Sequence, residues 1–557
     1  MKLTKLTIKN FRGIYGEDNS ISFENSEIIF LIGQNNVGKS SFLRAYEFFI
    51  APKQKATKED FFNHDTINPV EIEAEFEVDP ETDKNDEDLQ KSGKDKDPEW
   101  MSKWMNSENR VKIKKLWKKV DEEAEKFTFN PKDGGKWVSK GFGGFDTLIT
   151  KYAPTPIPIN AMETETSLEE KINKLISDEM LKRAKENFSD QYDVALKAIK
   201  KLEDDMLSSE QIKGFNININ NRFKEVFANL ELTISSKGED TINLLKALEK
   251  HHSLNIKKDG VSRDEGFLCH GHGVIRQALF NFIAFLNEIS GVTDKKYILL
   301  FEEPELYLHP KVLYNLRKSL YTLAKSSAYQ VLCATHSPLM IDVSQPHSSL
   351  VRIVKTPTEE TITYQVGDNV FGKEENKRII MMLNKMNSHV CEAFYANSVI
   401  LVEGETEQIA FRTLLEKYFP KEEVFVLSAG SKTIIPFFQE VLTHFHIEHF
   451  VIHDSDSPGK KSVWTLNKKI WGQIEKSRLM GLKVRRYVMI RNFEEANDYE
   501  MEESKGKPLS AFEFADSLKI GDKKPCLTYL KYILNKEVEQ EEHTQTWLES
   551  QTINDII

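Results

Sequence analysis

The feature that most constrains the fold is a glycine-rich loop between residues 33 and 41. It reads Gly33-Gln34-Asn35-Asn36-Val37-Gly38-Lys39-Ser40-Ser41 and follows the apolar run 29–32. This is the G-x-x-x-x-G-K-[ST] pattern, in which backbone N–H groups and the start of a helix surround phosphate oxygens. Because a strand-like run precedes the loop and a helical pattern follows it, the sequence predicts an α/β domain that binds a nucleotide.

Each residue type in this loop has an expected role in binding ATP. We expect Lys39 to reach the β- and γ-phosphates and Ser40 to be a ligand of Mg²⁺. The remaining predicted nucleotide contacts are Gly33, Asn35, Asn36, Gly38 and Ser41.

A second apolar run, residues 297–301, ends in the acids Glu302 and Glu303. A buried strand of this kind can deliver one carboxylate to Mg²⁺ and a second one to the attacking water. We assign Glu302 to the metal and Glu303 to the base. A further strand-like run, 331–334, leads to His336, which can reach the γ-phosphate from the carboxyl end of its strand. These residues predict ATP hydrolysis.

Several motifs together resemble the RecF/SMC-like branch of the ABC ATPases. They are Lys9-Asn10-Phe11-Arg12-Gly13, the loop with its asparagines, Glu302-Glu303-Pro304-Glu305, Leu308-His309-Pro310 and Thr335-His336-Ser337-Pro338. The resemblance implies that two ATPase domains enclose ATP and that a glycine loop of one contacts the nucleotide of the other. Gly271 and Gly273 are the candidates for that loop, although His272 stands where a serine is common. Glu302 also stands where an aspartate is commoner.

A second set of acids follows two later apolar runs. Glu403 comes after the run 398–402, and Asp454 and Asp456 come at the end of the run 449–453. The carboxyl ends of parallel strands meet at one edge of a sheet, so these side chains should converge there. Carboxylates so close repel one another unless a hard cation lies between them. The pattern therefore predicts a Mg²⁺ or Mn²⁺ site.

These two elements and the glycine step 428–432 resemble the TOPRIM motif. Most of the chain, apart from residues 80–160, resembles the OLD (overcoming lysogenization defect) nucleases. That resemblance implies a second metal, for which Glu407, Glu494 and Glu495 are candidates, and a late catalytic lysine, either Lys523 or Lys524. Two metals would hold the attacking water and the leaving oxygen of a phosphodiester.

The predicted fold class is α/β: an ABC-type ATPase domain with a helical dimerisation insertion, followed by a TOPRIM domain with a parallel sheet. The expected segments are the first ATPase part with an insertion (1–160), a helical dimerisation segment (161–214), the second ATPase part (215–370), a helical connection (371–396) and the TOPRIM domain (397–557). Residues 230–234 are expected to return to the ATPase sheet.

Composition narrows the class of protein. The four cysteines lie far apart, without a C-x-x-C pair, which argues against a zinc or disulfide framework and favours a cytoplasmic protein. No apolar stretch is long enough to span a membrane, and the N-terminus lacks the apolar core of a signal peptide. The formal net charge of −11 excludes a uniformly basic surface but leaves room for local basic strips. Two such strips are Lys112, Lys114, Lys115, Lys118 and Lys119, interpreted as an exposed helical insertion, and Lys460, Lys461, Lys468 and Lys469 beside the second acidic site.

The predicted function is an ATP-controlled, metal-dependent DNA endonuclease of the OLD type that acts as a homodimer or higher homo-oligomer. The resemblance also implies a role in anti-phage defence, alone or with a helicase or a reverse transcriptase as partner. Two alternatives stay open: a RecF-like repair ATPase with a non-cleaving TOPRIM domain, and a primase- or topoisomerase-like enzyme. The residues leave open the preferred DNA sequence, DNA against RNA, and whether ATP activates or inhibits cleavage.

Overall fold

The chain is described by a computed structural model. The residues it describes are 1–17, 19–79, 104–139, 152–164, 166–173, 210–226, 230–236, 252–258, 265–266, 270–289, 296–326, 328–342, 345, 349–367, 388–457, 461–500, 505–537 and 541–552. They form two compact units. The first takes the described residues of Met1–Leu31, Gly38–Met340 and Glu359–Thr361, and the second takes those of Ile32–Val37, Ile341–Thr358 and Ile362–Ile557. The domain boundaries drawn from the sequence stay predictions.

The first unit contains three groups of strands and four named helices. The strands are β1 (Lys2–Lys9), β2 (Ser20–Ser22), β3 (Ile28–Ile32), β4 (Val70–Glu77), β5 (Arg110–Trp117), β6 (Glu125–Asn130), β7 (Lys136–Ser139), β8 (Thr155–Ile159), β9 (Leu230–Ser236), β10 (His252–Lys258), β11 (Glu265–Gly266), β12 (Tyr297–Glu302) and β13 (Tyr329–Ala334). The helices are α1 (Lys39–Ile50), α2 (Glu210–Val226), α3 (His272–Ile289) and α4 (Pro310–Ala324).

A parallel sheet carries the nucleotide motifs. Its strands β3, β13, β12 and β8 are neighbours in that order and run parallel. Every residue of β3 and β13 is buried. A parallel sheet that is covered on both faces needs such continuous apolar strands, which explains why these runs are recognisable in the sequence.

An antiparallel sheet corrects the interpretation of the first basic strip. Its order is β2-β1-β4-β5-β6-β7. Lys112, Lys114 and Lys115 of the strip lie on β5, and Lys118 and Lys119 follow its end, so the helical interpretation is wrong. On the opposite face from the buried residues, Lys112 pairs with Glu73 at 2.5 Å and Lys114 with Glu71 at 3.3 Å. These charges are therefore neutralised by the neighbouring strand β4.

Residues 230–234 also differ from the prediction. They belong to β9, which pairs with β10 in a separate three-stranded sheet, β11-β10-β9. The strand itself was predicted, but its apolar pattern carries no information on which sheet it joins. The predicted dimerisation segment, 161–214, lies largely outside the described residues.

The second unit contains a four-stranded parallel sheet, order β17-β16-β18-β19. The four strands of this sheet are β16 (Ser398–Val402), β17 (Val424–Ser428), β18 (Glu448–Asp454) and β19 (Val484–Met489). Two further strands, β14 (Leu350–Lys355) and β15 (Thr361–Gln365), precede them in the chain. Its helices are α5 (Glu405–Tyr418), α6 (Ile435–His444), α7 (Lys461–Leu479), α8 (Phe493–Ala496), α9 (Gly506–Ser517), α10 (Pro525–Ile533) and α11 (Gln545–Thr552). The core cluster joins strand residues such as Ile400 and Ile452 to helix residues such as Phe411 and Leu527.

A buried arginine fixes strand β14 within the second unit. Arg352 is only 3% exposed and donates hydrogen bonds to the carbonyl oxygens of Ala396 (2.9 Å), Phe445 (3.1 Å) and His446 (3.0 Å). Burial lowers its pKa to about 10, so the guanidinium stays charged at neutral pH. Three carbonyl acceptors offset part of the cost of burying this charge.

No helix in the described ranges is long and apolar enough to cross a membrane. The described cysteines Cys333, Cys391 and Cys526 are buried. They neither bond to one another nor lie at the surface.

A buried neutral histidine gives the second unit a pH-dependent stability. His543 Nδ1 accepts a hydrogen bond from the N–H of Val488 at 2.8 Å, and its ring stacks on Trp547 with centroids 3.6 Å apart. Burial, and then the charge of Arg486, lower its pKa from 6.5 to about 4. Between these two values the unfolded chain binds a proton that the folded chain does not. Its contribution is therefore present above pH 6.5 and is lost as the pH falls towards 4.

We predict that His543→Asn makes the thermal unfolding midpoint less sensitive to acid. Asparagine keeps an acceptor for the Val488 N–H but cannot titrate. The free energy of unfolding should therefore lose a slope of about 1.4 kcal/mol per pH unit between pH 6.5 and about pH 4. The measurement is thermal unfolding at neutral pH and near the lower end of the window. His64→Asn, a change at an exposed histidine of the first unit, is the control. Parallel pH profiles for the parent and His543→Asn would contradict the prediction.

Candidate active sites

The phosphate loop has the backbone that its sequence predicts. It joins β3 to α1, and Gly33, Asn36 and Gly38 have positive φ angles of 141°, 62° and 103°. A Cβ at Gly33 would lie 2.3 Å from the carbonyl oxygen of Ile353, so only glycine fits at this position.

The N-terminal motif supports the end of this loop. The Gly13 N–H donates to Ser41 Oγ at 3.3 Å, and Arg12 pairs with Asp60 at 2.9 Å. Ser41 thus serves the packing of the loop, whereas Ser40, its partly buried neighbour, remains the candidate metal ligand.

Lys39 lies among the acids at the strand ends of the first unit. It is 4% exposed, and burial lowers its pKa to about 8 although the charges of Glu303 and Glu305 raise it. His336 Nε2 lies 3.7 Å from Glu303 Oε1. Burial and the charge of Lys39 lower the pKa of His336, which favours its neutral form at pH 7. The structure therefore brings three sequence-predicted residues, Lys39, Glu303 and His336, into one site.

Glu302 and Glu303 leave the same strand in different directions. Glu302 Oε2 accepts the N–H of Ala161 at 3.3 Å and lies 3.9 Å from Arg44 Nη2. Glu303 has a φ of +44°, which is unfavourable for a residue with a side chain and is typical of functional positions.

Two residues outside the predicted set hold these acids. Arg276, 3% exposed, donates to the carbonyl oxygens of Glu302 (2.7 Å) and Glu303 (3.2 Å). Glu305 accepts the N–H of His336 at 2.5 Å and the hydroxyl of Thr335 at 2.9 Å, so it links the ends of β12 and β13. The position of Glu305, two residues after Glu303, was a signal that could have identified it as a site residue. No signal in the sequence indicates that the Arg276 side chain contacts the carbonyl oxygens of Glu302 and Glu303.

The candidate signature residues Gly271 and Gly273 stand at the start of α3. A Cβ at Gly273 would lie 2.4 Å from the carbonyl oxygen of Tyr307, and the ring of His272 stacks on Tyr307 with centroids 5.0 Å apart. Gly273 therefore allows a close approach within this chain. The predicted contact with a second protomer stays a prediction.

The acids of the second unit lie at the carboxyl edge of its parallel sheet. Glu403 follows β16, Asp454 ends β18, and these strands are paired neighbours. Burial, the largest cause, and the nearby acids raise the pKa of Glu403 to about 7 and that of Asp454 to about 9. Glu407, on α5, is 7% exposed and its pKa is also raised by burial. The fold thus brings these predicted acids together in a site poor in water.

Two carboxylate oxygens at this edge have no hydrogen-bond donor among the described residues. They are Glu403 Oε2 and Asp454 Oδ1, and both are buried. A buried oxygen without a donor is costly, and a hard cation is a partner that removes this cost. Within the described ranges, however, no three acidic, histidine or cysteine side chains already have the mutual geometry of a metal-binding group.

Lys432 is the cation that the structure places at this edge. It follows β17, is 5% exposed, and its Nζ donates to the carbonyl oxygen of Asp454 at 2.5 Å and to Asp456 Oδ2 at 2.6 Å. Lys432 belongs to the glycine step noted in the sequence but was not among the predicted site residues. A lysine directly after a Gly-Ser turn at a strand end was the signal that could have identified it.

The two later acids, Glu494 and Glu495, differ in their surroundings. Glu494 is half-buried, and its charge helps to raise the pKa of Glu407. Glu495 is exposed and bonds to Arg491 (2.9 Å) and Asn492 (3.0 Å) instead. Only Glu494 has an evident electrostatic connection to the acids at the sheet edge.

The predicted lysines also differ. Lys524 Nζ pairs with Asp498 at 2.9 Å, and Lys523 is exposed. A further lysine, Lys507 on α9, stabilises the charged form of Glu407. In the second basic strip, Lys468 pairs with Glu549 at 3.4 Å and Lys469 is exposed. Lys460 lies outside the described residues, as does the side chain of Lys461.

The fold and its two strand-edge sites define a two-part α/β protein with a phosphate-loop ATPase domain and a second, acidic parallel-sheet domain. Comparison with known families agrees: residues 1–341 match the AAA ATPase domain, and residues 394–456 match the TOPRIM domain of overcoming lysogenization defect-like proteins. The chain belongs to this AAA ATPase family and carries an OLD-like TOPRIM domain. The predicted family and the α/β fold class with a parallel-sheet TOPRIM domain are confirmed, whereas the dimerisation insertion stays a prediction. The first domain implies ATP, and the second implies a divalent metal.

Curated relatives share most of their length with this chain. The endonuclease GajA of Bacillus cereus (strain VD045) is 26% identical over 84% of this chain and 77% of its own length. The Old nuclease of Escherichia phage P2 is 26% identical over 75% of this chain and 70% of its own. The OLD nuclease of Thermus scotoductus is 21% identical over 84% and 83%. A solved SMC head domain covers 66% of this chain at 12% identity and a TM-score of 0.39, too low to add to the fold assignment.

The contacts of Arg276 generate a prediction for the first unit. Arg276→Met should slow ATP turnover by about tenfold to a hundredfold, because Glu303 would lose the donor that fixes its strained backbone. ATP binding should persist, since the contacts of Arg276 to Glu302 and Glu303 are made to their carbonyl oxygens. Phosphate release and nucleotide binding are the two measurements.

Arg317→Met is the matched control. Arg317 also donates to a backbone carbonyl in the same unit, that of Leu339 at 2.8 Å. Equal turnover in the Arg276 and Arg317 variants would show that Arg276 has no special role.

Proposed function

We propose that this chain is an ATP-controlled, divalent-metal-dependent DNA endonuclease of the OLD type. The observation that carries the proposal is the pair Glu403 and Asp454. These acids end two neighbouring parallel strands, they are largely buried, and each has a carboxylate oxygen without a donor among the described residues. The named relatives are nucleases, and the matching TOPRIM domain spans both acids.

Glu403 and Asp454 would bind the first divalent metal, for which Mg²⁺ or Mn²⁺ fits an all-oxygen ligand set. Bound metal would supply Lewis-acid activation of water and of the scissile phosphate. Glu407 and Glu494, whose charges interact, are the acids that could serve a second metal. Glu495 is a weaker candidate because Arg491 and Asn492 hold its carboxylate.

The remaining residues of this domain would bind and orient DNA. Lys524 is the better placed of the two predicted catalytic lysines, since its pairing with Asp498 holds it near the later acids; Lys523 is exposed. Lys507 is a further candidate for a phosphate contact. Lys469 offers an exposed positive charge on α7, the helix that follows the loop of Asp456.

In the ATPase domain, Lys39 would bind the phosphates, Ser40 and Glu302 would hold Mg²⁺, and Glu303 would orient the attacking water. His336, neutral at pH 7, would contact the γ-phosphate. Gly271 and Gly273 would act on the nucleotide of a second protomer, which requires a homodimer. ATP would control DNA cleavage by changing the conformation of the ATPase domain. A cytoplasmic anti-phage role, with or without a helicase or reverse-transcriptase partner, is the biological role that the resemblance to the OLD family implies.

The buried acids also discriminate between this function and the alternatives. A RecF-like ATPase with a non-cleaving second domain has no need for several carboxylates at one strand edge, where the charges of Glu407, Glu403 and Asp456 add to burial in raising the pKa of Asp454. A zinc-dependent primase or topoisomerase is not supported, because the described cysteines are buried and separate. We therefore favour cleavage without rejoining.

We predict that Glu403→Gln and Asp454→Asn each abolish cleavage of plasmid DNA while ATP hydrolysis stays near the parental rate. Both substitutions keep the side-chain shape but remove the charge that binds the metal. EDTA should stop cleavage by the parent, and Mg²⁺ or Mn²⁺ should restore it. Cleavage is measured on supercoiled plasmid, and hydrolysis by phosphate release.

Glu416→Gln is the matched control, because Glu416 is an exposed acid on the same helix as Glu407. It should cleave like the parent. Parental cleavage by Asp454→Asn would instead assign the activity to another site or to a contaminant.

We also predict that Lys39→Ala and Glu303→Gln separate ATP binding from turnover. Lys39→Ala should lose hydrolysis because the phosphates lose their main side-chain donor, and Glu303→Gln should bind ATP without turning it over. Binding of a fluorescent ATP analogue and phosphate release are measured together. Loss of ATP binding in Glu303→Gln would mean that Glu303 is not the base.

A further inference from the structure

Lys432 and Asp456 form a charged pair inside the candidate metal site. Lys432 Nζ lies 2.6 Å from Asp456 Oδ2, and their side chains are 6% and 41% exposed. An ammonium group so strongly buried needs hydrogen-bond acceptors around it. Here the acceptors are the Asp456 carboxylate and, at 2.5 Å, the carbonyl oxygen of Asp454.

The loop that carries these acids is fixed from several sides. The Asp456 N–H donates to the carbonyl oxygen of Arg491 at 2.8 Å, and the Ser455 N–H donates to that of Met489 at 2.8 Å. Asp456 has a φ of +52°, a conformation that costs free energy without such support. Asp456 is therefore held towards Lys432 by its backbone as well as by its side chain.

Asp454 and Asp456 consequently differ in their hydrogen-bond partners. The Asp456 carboxylate has an ammonium partner, whereas Asp454 Oδ1 and Glu403 Oε2 are buried without a donor among the described residues. Asp454 Oδ1 and Glu403 Oε2 therefore need a partner that the described side chains do not supply. This difference separates residues that the sequence could only treat as equivalent.

We propose that Lys432 is a positioning residue that keeps Asp456 out of the ligand set of the first metal, so that Glu403 and Asp454 bind this metal and one of its coordination positions stays open. The inference rests on the proposed metal-dependent function. An open position is what a catalytic metal needs for water or a phosphate oxygen. Without Lys432, the Asp456 carboxylate would be free to fill it.

The test is the affinity of the full chain for Mn²⁺ without nucleotide, measured by calorimetry. The variant Glu403→Gln/Asp454→Asn provides the background from all other Mn²⁺ sites. Lys432→Met should bind Mn²⁺ more tightly than the parent, by about tenfold, because a repelling charge is removed and a carboxylate is released. Asp456→Asn should bind more weakly, because Lys432 then faces the metal without its counter-charge.

The combined variant Lys432→Met/Asp456→Asn is the decisive one. This variant removes both members of the Lys432–Asp456 pair, whose charges cancel. Because neither residue is a metal ligand, the two single effects should offset each other, and Mn²⁺ affinity should return to within about threefold of the parent. Lys432→Arg, which retains the charge and the donors, should not show the gain of Lys432→Met. Thermal unfolding midpoints of all variants check that the domain is folded.

Plasmid cleavage at saturating Mn²⁺ provides a second readout. Lys432→Met should cleave about tenfold more slowly or worse despite its tighter binding, because Asp456 occupies the open position. A lysine with only a structural role would give weaker Mn²⁺ binding in Lys432→Met, and that result would overturn the inference. So would a combined variant that loses Mn²⁺ as strongly as Asp454→Asn, since Asp456 would then be a ligand.

Failure of the proposed function would look different. If Glu403→Gln and Asp454→Asn each kept parental Mn²⁺ affinity, the edge of this sheet would not be the metal site. The role of Lys432 would then fall together with it.

Discussion

Acids buried at the carboxyl ends of parallel strands need a positive counter-charge, and both units of this chain depend on that constraint. In each, one largely buried lysine follows a strand and a glycine-containing turn: Lys39 after Gly38, and Lys432 after Gly430 and Ser431. Lys39 faces Glu303 and Glu305, and Lys432 faces Asp454 and Asp456. These positive charges reduce the cost of ionising the carboxylates, although burial still raises the pKa of Asp454 to about 9.

The counter-charge alone would not fix the direction of the acids, and the backbone supplies the remainder. Glu303 and Asp456 both have positive φ angles, 44° and 52°. Each is held by hydrogen bonds from or to distant parts of the chain: Arg276 donates to the Glu303 carbonyl, and the Asp456 N–H donates to the Arg491 carbonyl. Strained residues at both edges are therefore maintained by buried bonds that the active-site side chains do not themselves make.

Much of this arrangement was predictable because parallel strands buried on both faces leave continuous apolar runs, and the acids that end them mark the edge of the sheet. The phosphate loop and the sheets around Glu303 and Asp454 follow from that signal. For the first basic strip, the cluster of lysines indicates a surface helix, whereas the buried positions of β5 alternate strictly, as in a half-buried strand. The Gly-Ser turn marks Lys432 as a candidate, but its contacts and those of Arg276, each with a residue more than 20 positions away, do not follow from any strand-end pattern.

The same reasoning explains how the structure distinguishes neighbours that the sequence left equivalent. Glu494 and Glu495 are adjacent acids in the first turn of α8, where either charge favours the helix. Asn492 caps this helix by accepting the Glu495 N–H at 2.7 Å, and its side chain also bonds to the Glu495 carboxylate. This reciprocal cap turns Glu495 back towards the helix start and Arg491, so Glu494 alone contributes its charge to the environment of Glu407. A local rule of helix capping thus decides which acid is available to the site.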